Sequence, residues 1–100
     1  MRIQWSRLAR ADVKEIFDYY TLKVSPQIAQ SIKRKVQRSV LPLKEFPEMG
    51  QIEPLLQDKK VKYRYLLEGN YKIIYRTERR NVFIITVFDT RRNPETLNVK

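Results

Sequence analysis

Apolar residues recur along this chain first with the period of a helix and then with that of a strand. At the start, Ile3 and Trp5 alternate with Arg2 and Gln4, which predicts a short strand with one buried face. Ser6 offers an N-cap, and Ala9, Val13, Ile16, Phe17 and Tyr20 follow at helical spacing, with Arg10, Lys14 and Asp18 elsewhere on the wheel; a helix is expected over 7–22. Ser25-Pro26 is a second start signal, because serine caps free amides and proline is tolerated at the first helical position. Ile28, Ile32, Val36, Val40 and Leu43 then form a second stripe. Pro42 lacks an amide hydrogen and crowds the preceding turn, so this helix is expected to kink there and continue to about Glu45.

From Phe46-Pro47-Glu48-Met49-Gly50 to residue 60 no period is sustained, and a loop with at most a short turn of structure is expected. The pattern then changes. Runs at 61–67, 71–76 and 82–88 are rich in β-branched and aromatic residues, and Glu68-Gly69-Asn70 and Glu78-Arg79-Arg80-Asn81 between them read as tight turns. Three such runs predict an antiparallel meander. The fold class is therefore α+β, in the order β-α-α-β-β-β, with a helical hairpin packed on one face of an antiparallel twisted sheet and one domain over residues 1–100.

Charge narrows the function more than composition does. With 21 basic against 11 acidic residues the net charge is +10, so an acidic partner is expected. RNA, DNA, an anionic membrane and an acidic protein all qualify on charge alone. The chain holds no cysteine and no histidine, which removes thiolate chemistry, cysteine-ligated zinc and the commonest neutral-pH acid or base. Any catalysis falls to Lys, Arg, Tyr, Asp or Glu. No cofactor or metal site is expected, and no glycine-rich phosphate loop or nucleophile elbow is present. The first residues carry no apolar stretch suited to secretion or membrane insertion, so a cytoplasmic protein is expected.

Strand alternation separates Arg64 and Leu66 from Tyr63 and Tyr65, and Lys72, Ile74 and Arg76 from Tyr71, Ile73 and Tyr75. Whichever set faces away from the helices, a basic and aromatic surface is expected, with Arg91 and Arg92 at its rim. Guanidinium groups hold phosphate in a bidentate manner and tyrosine rings stack on unpaired bases. Any single tyrosine in a small sheet is nevertheless more often a half-buried packing residue. Lys33-Arg34-Lys35, and likewise Asp12, Glu15 and Asp18, read as solvated helical charges. Asp89-Thr90-Arg91-Arg92-Asn93-Pro94 ends an apolar strand in adjacent guanidiniums, which an exposed ion pair worth roughly 0–1 kcal/mol does little to explain.

Tyr63-Arg64-Tyr65-Leu66-Leu67-Glu68-Gly69-Asn70-Tyr71-Lys72-Ile73-Ile74-Tyr75 and Val87-Phe88-Asp89-Thr90-Arg91, behind a first strand and a helical hairpin, resemble the RelE/ParE toxin superfamily. The resemblance implies the toxin of a bacterial type II toxin-antitoxin module, neutralised by a cognate antitoxin. It implies one of two targets: DNA gyrase for a ParE-like member, or mRNA on the ribosome for a RelE-like endonuclease. For the latter, Arg64, Lys72, Arg91 and Arg92 would be the catalytic candidates. Tyr63, Arg64, Tyr65, Tyr71, Lys72, Arg76, Arg91 and Arg92 would bind the target. The match to the nuclease pattern is partial. Tyr63 and Tyr65 stand where lysines are expected, Lys72 where an arginine is, and the tail Leu97-Asn98-Val99-Lys100 offers neither Tyr nor His. These departures lean toward the ParE-like branch; a plain nucleic-acid-binding module is the remaining alternative.

Overall fold

A computed structural model describes residues 1–56 and 60–91 of the chain. The first strand, β1, is Arg2–Trp5, and Ser6 caps the helix that follows, α1, Arg7–Lys23. The Ser6 hydroxyl accepts from the Ala9 amide at 2.9 Å and donates to the Ile85 carbonyl at 2.7 Å, so one side chain starts the helix and ties it to the sheet. Ser25 caps α2, Pro26–Ser39, in the same way, with Pro26 opening the helix.

The second helix does not continue to Glu45. It stops at Ser39, and Leu41–Lys44 form a 3-10 turn. Proline at position 42 removes an amide donor and its ring meets the carbonyl four residues back, which breaks the α-helix instead of bending it. The tighter turn still carries Leu43 into the core beside Val40, both fully buried. The apolar stripe is thus kept although the helix is not.

Beyond a two-residue strand, β2, Gln51–Ile52, and a 3-10 turn at Pro54–Leu56, the chain forms β3, Arg64–Glu68, β4, Tyr71–Glu78, and β5, Asn81–Asp89. The sheet order is β1-β5-β4-β3-β2. The meander is antiparallel as expected, but β1 joins β5 in parallel, so the five-stranded sheet is mixed. The helical hairpin acts as a crossover long enough to return the chain to the same direction. That places β5 between two neighbours, which suits its nearly unbroken apolar run.

The core lies between helices and sheet. Ala9 and Val13 of α1 and Val36 of α2 pack with Tyr71, Ile73 and Tyr75 of β4 and Val82, Ile84 and Val87 of β5. Past Trp5, β1 has turned into α1 and leaves the outer edge of β5 without a strand. Asp12 serves that edge: its carboxylate accepts from the Val87 amide at 2.9 Å and the Thr86 hydroxyl at 2.6 Å. Asp12 is therefore not the helical surface charge expected, because an amide on an otherwise unpaired strand edge needs an acceptor.

Candidate functional site

Alternation along β4 puts Tyr71, Ile73 and Tyr75 under the helices and turns Lys72, Ile74 and Arg76 to the opposite face. That second face is not the open basic surface expected. Leu56 and Tyr63 pack on Ile74, with Tyr65 and Ile85 at the margin, so the segment around Pro54–Leu56 covers part of the sheet. Tyr63 is a core residue of this small cluster, and the target-binding role foreseen for it has no exposed surface to act through.

Glu53 holds the covering segment down. Its carboxylate is 1% exposed and its Oε2 lies 3.1 Å from Lys72 Nζ, while Oε1 accepts from the Leu55 amide at 3.1 Å. The approach of Nζ to Oε2 lacks hydrogen-bond alignment, so that oxygen is held by charge alone. Lys72 also sits over the Tyr65 ring, 4.4 Å from its centre, and the Tyr65 hydroxyl donates to Gln51 Oε1 at 2.9 Å. A buried carboxylate thus already answers the charge of Lys72.

The other candidate cations are engaged as well. Arg64 pairs across the sheet with Tyr75, hence on the helix side, and its guanidinium donates to the carbonyls of Gly50 at 2.8 Å and Glu48 at 3.3 Å. Arg76 stacks on Phe83, 4.7 Å from the ring centre, and meets Glu78 at 2.7 Å. Arg91 grips Asp89 through two nitrogens at 3.0 and 2.9 Å. Of the four catalytic candidates, the three described, Arg64, Lys72 and Arg91, are not brought together. Arg64 and Lys72 lie on opposite faces, and Arg91 follows the strand end that pairs with Tyr71, about 13 Å along β4 from the Tyr75 pairing of Arg64. Arg92 lies outside the described residues.

A different constellation does form at that strand end. A groove of about 360 Å³ is lined by Asp12, Tyr19, Tyr20, Tyr71, Asp89 and Arg91 among others. Tyr19 and Tyr20 meet edge to face at 5.1 Å, and the Tyr71 hydroxyl lies 3.4 Å from that of Tyr20. Burial, helped by the Tyr20 hydroxyl, pushes the Tyr71 phenol well above its ordinary range, while hydrogen bonds from Tyr71 and Arg91 pull Tyr20 down. The Asp89 carboxylate, and next the Tyr20 hydroxyl, hold Arg91 firmly protonated. Tyr71 is thus a poor proton acceptor at neutral pH. Helical periodicity places Tyr20 only in an apolar stripe and does not single out Tyr19; the adjacent tyrosines at the end of α1 are the signal that could have found this groove. Among the described residues no carboxylate cluster is placed to hold a metal ion, and no helix is long and apolar enough to cross a membrane.

Two helices on one face of a mixed sheet, with arginine following the last strand, are the architecture expected of the RelE/ParE type. The chain belongs to the ParE toxin family of type II toxin-antitoxin systems, whose model matches residues 3–94. A solved structure described as the chromosomal ParDE TA system from P. aeruginosa is similar in fold, with a TM-score of 0.75 at 24% identity, covering 89% of this chain and 95% of that one. No curated protein matches the sequence.

Proposed function

We propose that this ParE-family toxin arrests growth by binding DNA gyrase and is neutralised by a cognate antitoxin whose acidic segment folds onto the basic surface. The state of the candidate cations supports this reading. Cleavage of RNA by 2′-hydroxyl attack needs a base, an acid and cations converging on one phosphate. Here Arg64 is tied to loop carbonyls, Lys72 to Glu53 on the other face and Arg91 to Asp89.

Controlled induction in bacteria tests it. Early loss of plasmid supercoiling with intact mRNA, and inhibition of purified gyrase by the purified chain, are the expected results. Codon-biased cuts in mRNA before any change in supercoiling would transfer the protein to the nuclease branch. Binding of nucleic acid without growth arrest would reduce it to a binding module.

A further inference from the structure

The two hairpins of the meander solve the same geometric problem with different residues. Each has a two-residue turn, Gly69-Asn70 between β3 and β4 and Arg79-Arg80 between β4 and β5. The first residue of each has positive φ, 59° at Gly69 and 57° at Arg79. Glycine adopts that region freely, whereas a side chain there crowds its own backbone. Arg79 is exposed and makes no hydrogen bond or ion pair among the described residues. The strain at position 79 is therefore not offset by anything in the fold.

What the turn does achieve is to set two exposed arginines next to each other in the chain at the tip of the sheet. Arg80 is exposed next to Arg79, and β1 brings in a third. The Arg2 amide donates to the Arg80 carbonyl at 3.0 Å, Arg2 pairs in register with Asn81, and its side chain is exposed. The carboxylate nearest in the chain, Glu78, is taken by Arg76 at 2.7 Å. Thr77, Glu78, Arg79 and Arg80 are all exposed, so the turn offers a protein partner no apolar seat. Planar, permanently charged forks on so polar a turn match the oxygens of phosphodiesters.

We propose that the Arg79-Arg80 turn, with Arg2 beside it, is a sequence-independent contact for the phosphate backbone of nucleic acid. It is separate from the tyrosine groove and from the sheet face behind Lys72, and does not depend on gyrase being the target. Tyr71 and Glu78 are opposite ends of β4, and α1 finishes beside Tyr71, so Lys23 lies at the far end of the sheet from this tip.

Anisotropy of a short fluorescent DNA duplex of arbitrary sequence, titrated with the full chain over a range of salt, tests the contact beside thermal melting. Arg79→Gly is expected to melt at the same or a higher temperature, because the strain goes, yet to bind several-fold more weakly. The slope of log K against log salt should flatten by about 0.9, the loss of one phosphate contact. Lys23→Gln, which removes the same charge at the other end, should leave the slope unchanged. Equal effects of the two substitutions would reduce the binding to net charge and overturn the proposal, as would an unchanged slope in Arg79→Gly. A lower melting temperature in Arg79→Gly would make the arginine structural and would overturn it too. Failure of the wild-type chain to bind the duplex while it binds polyglutamate through Arg79 would identify a surface for acidic protein instead.

Discussion

Gly50 shows how tightly single residues are specified around the loop before β2. A Cβ there would lie 2.6 Å from the Tyr75 hydroxyl and 2.7 Å from the Tyr65 carbonyl, and the second of these is backbone that cannot swing away. The Tyr75 hydroxyl donates to the Pro47 carbonyl at 2.7 Å and accepts from the Gly50 amide at 3.0 Å, which fastens the loop to the core. Gly50→Ala is expected to cost about 1–3 kcal/mol through overpacking. Tyr75→Phe should cost a similar roughly 1–3 kcal/mol by orphaning the buried Gly50 amide and the partly buried Pro47 carbonyl; urea unfolding of both variants checks the pair. The buried tyrosines also set an alkaline limit. Burial raises the phenols of Tyr71 and Tyr75 above their ordinary value of 10.0. The native state therefore keeps protons that the unfolded chain gives up. Stability from these groups is full below about pH 10 and falls as pH rises beyond it. Urea midpoints measured from pH 8 to 11 should be level and then decline, and Tyr71→Phe should make the decline shallower. A midpoint that rises across that range would contradict this.

At the level of elements, the ion pair between the covering segment and β4 is the most sensitive joint. Removing one partner of a buried pair leaves the other charge desolvated and costs on the order of 3–5 kcal/mol, whereas replacing both with apolar residues is often neutral. Lys72→Met alone should therefore be strongly destabilising, and Glu53→Leu with Lys72→Met should regain most of the loss in urea unfolding. The double variant also separates fold from function: toxicity that returns with stability would show that the ammonium has no chemical role. The periodic elements are legible because one buried face writes its period into the sequence, as in α1 and in the meander. The segment from Gln51 to Tyr63 is not. Its described residues form two residues of strand and one turn, held by Glu53, Leu56 and Tyr63 through contacts far apart in the chain. A lone glutamate in an aperiodic stretch looks like surface, and only the fold reveals the lysine it meets. The end of α2 is hidden for a related reason. Val40 and Leu43 continue the stripe whether the backbone is α or 3-10, so periodicity alone does not choose between a kink and a break.

For the whole molecule, composition reveals that cations dominate but not where they are free to act. Of the cations foreseen as the site, the described ones, Arg64, Lys72, Arg76 and Arg91, have internal partners. Arg34, Lys35 and Arg38 on α2 are exposed, with no carboxylate between Asp18 and Glu45 to answer them. A charge of +10 spread over exposed helix faces and sheet ends acts at a distance before any contact is made. For the acidic antitoxin proposed above, this field should govern how fast the partners meet more than how long they stay together. Attraction over about a Debye length, roughly 10 Å at 0.1 M salt and 3 Å at 1 M, steers the encounter, while short-range packing sets dissociation. Stopped-flow mixing with the antitoxin should show an association rate that falls tenfold or more between low and high salt, with a dissociation rate changed far less. Neutralising Arg34, Lys35 and Arg38 together should flatten that salt dependence and leave the melting temperature in place, since exposed helical charges contribute little to folding. An association rate indifferent to salt would mean that apolar contact, and not this field, brings the two chains together.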